Sequence, residues 1–305
     1  MKKEFLGMPL FDFLFIGALC LVGILFGSFF DWQISSNIVN QGTLMGKLVE
    51  GFGIVFSAVM INLSTVMFFK GLRTNRLLGL KILGYVLLLT GFVVSAYVVK
   101  SYITEEKIVN LLYAVHFSKM ISYVIGFTIS FFFMAIPLLF IKSDNKEYLI
   151  RAAIAIILTM LGQYLLIHFI KRLDCRPRYR FLVDSSFNTN NEVFRNWWEF
   201  KPFAFDDDGH KSWPSGHTAT AAVSFLLPLA APVLRYPFKH SKQVLFLIGL
   251  ASIILIAFFR IYHGAHFLSD VSFGCLFTLL LALLWVYLSD KLFRKKKSLL
   301  TENLS

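Results

Sequence analysis

Apolar residues in this chain come in long uninterrupted runs, without the three-and-four spacing of a half-buried helix or the alternation of a half-buried strand. Eight such runs can be marked, at residues 13 to 30, 52 to 69, 82 to 99, 120 to 141, 152 to 170, 218 to 234, 244 to 259 and 271 to 289. At 1.5 Å per helical residue, each spans or nearly spans a hydrocarbon core of about 30 Å. The pattern predicts an all-α, polytopic membrane bundle of about eight transmembrane helices. Because the runs are continuously apolar, a membrane β-barrel is excluded. The first run has the basic start of a signal peptide, with Lys2 and Lys3. No small-residue cleavage site follows it, so it is read as a retained span.

Composition sharpens this picture. Across 305 residues, 57% are hydrophobic and only 16% charged, which is no soluble globule or disordered chain. A net charge of +12 would suggest nucleic acid in a soluble protein. Here the basic residues sit in short connections between runs, the pattern that places a loop in the cytoplasm, and no nucleic-acid partner is expected. Lys2 and Lys3 and the tail Lys291, Arg294, Lys295, Lys296 and Lys297 put both termini on that side, as an even number of spans allows. Connections with Lys70 to Lys81, Lys142 to Arg151 and Arg235 to Lys242 alternate correctly. Cys20, Cys175 and Cys275 form no disulfide framework and read as structural.

Two outer connections break the charge rule, the segment from about 171 to 217 and the turn with Arg260, and an anionic ligand is the simplest reason. The first holds Lys171, Arg172, Arg176 and Arg178, which either snorkel to headgroups or bind that ligand. Next, Trp213-Pro-Ser-Gly-His217 opens the sixth span, either as a capped helix or as an anion site. Ser215 is then the cap, and the amides of Gly216 and His217 point outward. Last, Arg260-Ile-Tyr-His-Gly-Ala-His266-Phe-Leu-Ser-Asp270 leads into the eighth span. If His266 and Asp270 share a helix face, the carboxylate can take the Nδ1 proton and leave Nε2 basic, although such a spacing is also ordinary helix pairing. Parity brings all three segments to one membrane face. Cations, amide donors and two histidines together suit phosphoryl transfer, in which charge spreads over three equatorial oxygens.

These residues resemble the type 2 phosphatidic acid phosphatases, whose signature is Lys-x6-Arg-Pro, Pro-Ser-Gly-His and Ser-Arg-x5-His-x3-Asp. Here it reads Lys171-x6-Arg178-Tyr179, Pro214 to His217, and Phe259-Arg260-x5-His266-x3-Asp270, within roughly 152 to 289. The resemblance implies a membrane lipid phosphatase with a six-helix core and no metal or other cofactor. It assigns His266 as nucleophile forming a phosphohistidine, Asp270 as its orienting partner and His217 as acid and then base. Lys171, Arg178, Ser215, Gly216 and Arg260 would hold the phosphate. Tyr179 replaces the usual proline and Phe259 the usual serine.

The expected organisation is N-terminal spans in 1–141 with an extra pair, a core in 142–290 with an outer loop at 171–214, and a basic cytoplasmic tail in 291–305. The expected partners are the bilayer and a lipid phosphate, which could be phosphatidate, phosphatidylglycerophosphate, undecaprenyl diphosphate or a lipid A phosphate. Oligomeric state is open. In a bacterium the protein would lie in the inner membrane with its site facing the periplasm. The same residues could also serve a lipid phosphotransferase, whereas a transporter should bind near the bilayer midplane. Asp206, Asp207 and Asp208 read as solvated, with no metal assigned; His210 and His263 read as loop residues or substrate contacts. Trp197, Trp198 and Trp213 suggest an interfacial belt, and Pro137, Pro228 and Pro232 suggest kinks.

Overall fold

The computed structural model describes residues 4–5, 8–40, 52–105, 119–184, 192–204 and 207–302. A two-residue antiparallel pair, β1 (Glu4–Phe5) and β2 (Met8–Pro9), precedes an all-α bundle. Its helices are α1 (Leu10–Ile38), α2 (Phe52–Leu72), α3 (Leu78–Glu105), α4 (Lys119–Phe140) and α5 (Lys146–Asp174). A short α6 (Tyr179–Val183) and a 3-10 turn (Asp208–His210) follow, then α7 (Gly216–Ala222) with its 3-10 continuation (Val223–Val233), α8 (Ser241–Tyr262) and α9 (Leu268–Glu302). Among the described residues, eight helical segments are long and apolar enough to cross a membrane, and each contains one of the runs read from sequence or nearly all of it.

Lipid and protein sort these spans by composition. The two least apolar ones, Val55–Leu72 and Gly216–Val233, are the two most buried in protein, because there a neighbouring helix and not acyl chain covers their polar atoms. Around the second, one core gathers Met60, Leu63, Ala152, Ile156, Leu226 and Val286, and another gathers Phe13, Ile16, Phe225, Phe246, Ile256 and Leu279. Helices α3 and α4 pack chiefly on α2 and on each other. In contrast, α1 lies chiefly along α9, at the other end of the sequence.

Proline acts unevenly. Pro228 and Pro232 lie inside the 3-10 continuation of the sixth span, which an α-helix could not carry unbroken because proline lacks the amide it needs and crowds the preceding turn. Pro137 lies inside α4, which runs on to Phe140. At two places a missing side chain sets helix spacing: a Cβ on Gly27 would lie 2.6 Å from the Ser269 amide nitrogen, and one on Gly274 would lie 2.4 Å from the Ser215 carbonyl oxygen. Both contacts draw other helices against the start of α9.

Candidate active site

The start of α9 is held by an arginine that the sequence motifs leave out. Arg176 follows α5 after Cys175, whose left-handed conformation (φ 48°) ends that helix. Its guanidinium is 1% exposed and donates to Asp270 Oδ1 (2.6 Å), Ser269 Oγ (2.9 Å), Asp31 Oδ2 (3.0 Å) and, through Nε, the Arg195 carbonyl (2.8 Å). The Phe267 and Phe194 rings cover it at 4.4 and 5.3 Å. A buried arginine needs this density of acceptors, because desolvating an unpaired charge costs several kcal/mol. Asp31, on α1, also accepts the Ser269 amide (3.0 Å) and hydroxyl. The first span is thereby tied to the third motif by charge as well as packing.

Asp270 differs in detail from its expected role. His266 precedes α9 by two residues, so the two do not share a helix face. The His266 Nδ1 lies 2.6 Å from the Ser212 carbonyl oxygen, which can only accept, so that nitrogen carries the proton. Asp270 Oδ2 is 3.7 Å from the same nitrogen. That oxygen instead accepts from Ser212 Oγ (2.6 Å) and from the Phe267 amide (2.8 Å), as a third-position carboxylate does when it reaches back to cap its own helix. Asp270 therefore holds the backbone that follows the histidine together with the Ser212 side chain, and the Ser212 carbonyl fixes the tautomer. Nε2 is left with the lone pair, as the sequence argument requires.

Burial holds the His266 imidazole well below its ordinary pKa, and the nearby charges of Arg260, Lys171 and Arg178 push the same way. Three cations expected to hold phosphate thus surround the expected nucleophile, and it is neutral at pH 7. Arg260 is buried, and its carbonyl accepts the Ala265 and His266 amides. Lys171 Nζ donates to the Lys211 carbonyl, and its stem lies 3.8 Å from where a Cβ on Gly216 would sit. Ser215 caps α7 by accepting the Thr218 amide, and its own amide donates to the Asp270 carbonyl at 2.9 Å. His217 is half-buried in the first turn of α7, beside Gly216. The three motifs are thereby joined by named bonds.

Arg178 has a carboxylate on it. Asp208 accepts from both of its terminal nitrogens, at 2.6 and 2.9 Å, while its own side chain stays largely exposed, as the solvated reading expected. His210 is buried, pairs with Asp207 at 2.8 Å and stacks edge-on with Phe181, and His263 is buried at the end of α8. Asp206 lies outside the described residues. The outer loop folds inward: Arg195 donates to the Glu199 and Cys175 carbonyls, and burial lowers its pKa. Trp213 is buried against Phe273 and Trp197, whose indole donates to Ser28 Oγ at 2.9 Å, so Trp213 is no headgroup belt residue. Trp198 remains exposed.

The two departures from the signature are packing residues. Tyr179 is the first residue of α6, the position proline suits best, and its ring packs between Trp32 (5.0 Å) and Phe267 (6.3 Å). Phe259 packs on Phe258 and Tyr262. Sequence reasoning missed Asp31, Ser212 and the role of Arg176. Asp31 carried a signal, as a carboxylate next to an apolar run, which in a membrane span calls for a partner.

Comparison with known proteins covers these same elements. The PAP2 superfamily model matches residues 148–294, the stretch from α5 into α9. Phosphatidylglycerophosphatase B of Bacillus subtilis is 33% identical over 115 residues, covering 35% of this chain and 55% of that protein. The chain thus matches little more than half the length of this relative. No solved structure matches it significantly. With all three motifs inside the matched stretch and joined at one end of the bundle, residues 148–294 of this chain are similar to the PAP2 superfamily.

Proposed function

We propose that this protein is an integral membrane lipid phosphate phosphatase that works through a phosphohistidine on His266. The observation that carries the reading is the His266 environment: a neutral, buried imidazole with its Nδ1 proton committed to the Ser212 carbonyl and three cations close by. Nε2 attacks phosphorus in line with the ester oxygen while Lys171, Arg178, Arg260 and the amides around Ser215 and Gly216 balance charge on the equatorial oxygens. The phosphorus–nitrogen bond forms as the phosphorus–oxygen bond breaks, and His217 protonates the departing alkoxide or phosphate. The imidazole becomes cationic in this step, and Asp270 at 3.7 Å favours that charge. Water then attacks phosphorus with His217 as base, releasing phosphate and restoring His266.

A substrate phosphate at headgroup depth fits a pocket formed by helix ends. Phosphatidylglycerophosphate leads the candidates because the bacterial relative's name gives that activity; phosphatidate, undecaprenyl diphosphate and lipid A phosphate follow. The charge pattern of the connections favours a periplasmic site in a bacterial inner membrane. Helices α3 and α4, docked chiefly on α2 and on each other, are read as the pair added to a six-span core.

The test is phosphate release from these four lipids by purified protein and by His266→Ala, with chelator present and with acid-labile phosphate on the protein measured after quenching. Release and labelling by the parent alone are expected. Undiminished release by the histidine variant would overturn the mechanism. Labelling without release would point instead to transfer to a second lipid.

A further inference from the structure

At the other end of the bundle lies a cavity of about 320 Å³, lined among others by Tyr148, Arg151, Leu229, Lys242, Ser289 and Asp290. Arg151 is twenty residues before Lys171 on α5, so about 30 Å of helix separates this cavity from the motif pocket. It is a different site, opening at the opposite membrane face.

Its chemistry is that of an anion site. Arg151 and Lys242 outnumber the one carboxylate, Asp290, leaving a net positive lining. Lys242 also stands in the first turn of α8, where the backbone dipole adds positive potential and favours an anion. His240, which precedes α8, makes no side-chain capping bond. The Arg151 guanidinium is already oriented, 3.0 Å from Asp290 and over the Tyr148 ring at 5.6 Å. Tyr148 itself is pinned by donating to the Leu229 carbonyl at 2.9 Å. Such pre-positioning lowers the entropy lost when a ligand arrives. The volume is about ten times that of a water molecule in the liquid, room for a phosphate and its attached alcohol.

We propose that this cavity binds a phosphate-bearing ligand between Arg151 and Lys242, either the headgroup of an anionic lipid in the leaflet opposite the motif pocket or free phosphate. Lys242 and the α8 N-terminus face one side of the anion, and Arg151 faces the other. Asp290 holds Arg151 in place without neutralising the pair.

The experiment is native mass spectrometry of the full chain in detergent, titrated with phosphatidylglycerol, phosphatidylcholine or inorganic phosphate. The parent is compared with Arg151→Gln/Lys242→Gln, since the motif pocket is common to both and cancels. The parent is expected to retain one more phosphatidylglycerol than the double variant, or to hold it at least about tenfold more tightly, with no such difference for phosphatidylcholine. Displacement of that lipid by millimolar inorganic phosphate identifies free phosphate as the ligand, and persistence identifies the headgroup. Equal retention by both folded proteins overturns the proposal. Should the double variant fail to fold, a benzophenone side chain at position 232, on the cavity wall, is photolysed in the otherwise unaltered chain. Crosslinking to phosphatidylglycerol in preference to phosphatidylcholine supports the site, and equal or absent crosslinking refutes it.

Discussion

Asp31→Ala tests whether a helix outside the matched family stretch helps build the proposed phosphatase pocket. Asp31 is 2% exposed and accepts from Arg176 Nη2, the Ser269 amide and the Ser269 hydroxyl. Removing one partner of a buried pair ordinarily costs about 3 to 5 kcal/mol, and here the lower end applies because Arg176 keeps Asp270. Asp31→Asn retains an acceptor for the Ser269 amide and loses only the charged interaction, so a loss of about 1 to 3 kcal/mol is expected. The functional effect follows from where the freed guanidinium goes. Drawn wholly to Asp270, it competes with Ser212 Oγ and the Phe267 amide, and both the Ser212 segment and the backbone that follows His266 shift. Both variants should therefore melt earlier in detergent and lose kcat at least about tenfold, with KM changed little, since no phosphate ligand is removed. The Asn variant should lie between Ala and the parent in both readouts. A parent-like melting point together with parent-like kcat in Asp31→Ala would show that the link from α1 to the motif pocket carries nothing.

Three further expectations rest on separate observations. The lowered His266 pKa means the nucleophile is lost only as pH falls through that depressed value, so the acid limb of phosphoenzyme formation should lie below about pH 6.5. Arg260→Gln, by removing a charge that opposes protonation, should move this limb to higher pH whatever it does to the rate; an unmoved limb counts against the electrostatic account. Asp208→Asn frees Arg178 from a bidentate competitor and should tighten inhibition by vanadate severalfold, measured as a Ki, whereas unchanged inhibition would mean that Arg178 does not contact the phosphate. Gly274→Ala puts a methyl group 2.4 Å from the Ser215 carbonyl and should cost about 1 to 3 kcal/mol in thermal stability. Gly79→Ala, which meets nothing within 4 Å, serves as its control and should be neutral or slightly stabilising.

Legibility differed residue by residue. Lys171, Ser215, His266 and Asp270 could be picked out because phosphoryl chemistry demands particular groups at particular spacings near helix ends. Their bonding partners could not. The Ser212 carbonyl that fixes the His266 tautomer is a backbone atom, which any residue at position 212 would supply. Trp213 looked interfacial by type, and only the packing of Trp197 and Phe273 shows it buried. Asp208 is solvated as its type suggested, but its pairing with Arg178 was not legible, because that partner lies thirty residues earlier in the chain.

By itself the sequence determined the all-α class and the eight spans, and singled out candidate phosphate-handling side chains, since a hydrocarbon solvent forces apolar runs into helices and charge bias orders the loops. Only the tertiary structure decided which helices meet at the pocket. It brought Asp31 of the first span to Arg176 and Ser269, set Asp208 on Arg178 and assigned the Nδ1 proton of His266 to a carbonyl. Contacts between distant segments depend on how helices pack laterally, and inside a membrane that is set by small residues and polar pairs, not by the hydropathy that places each span.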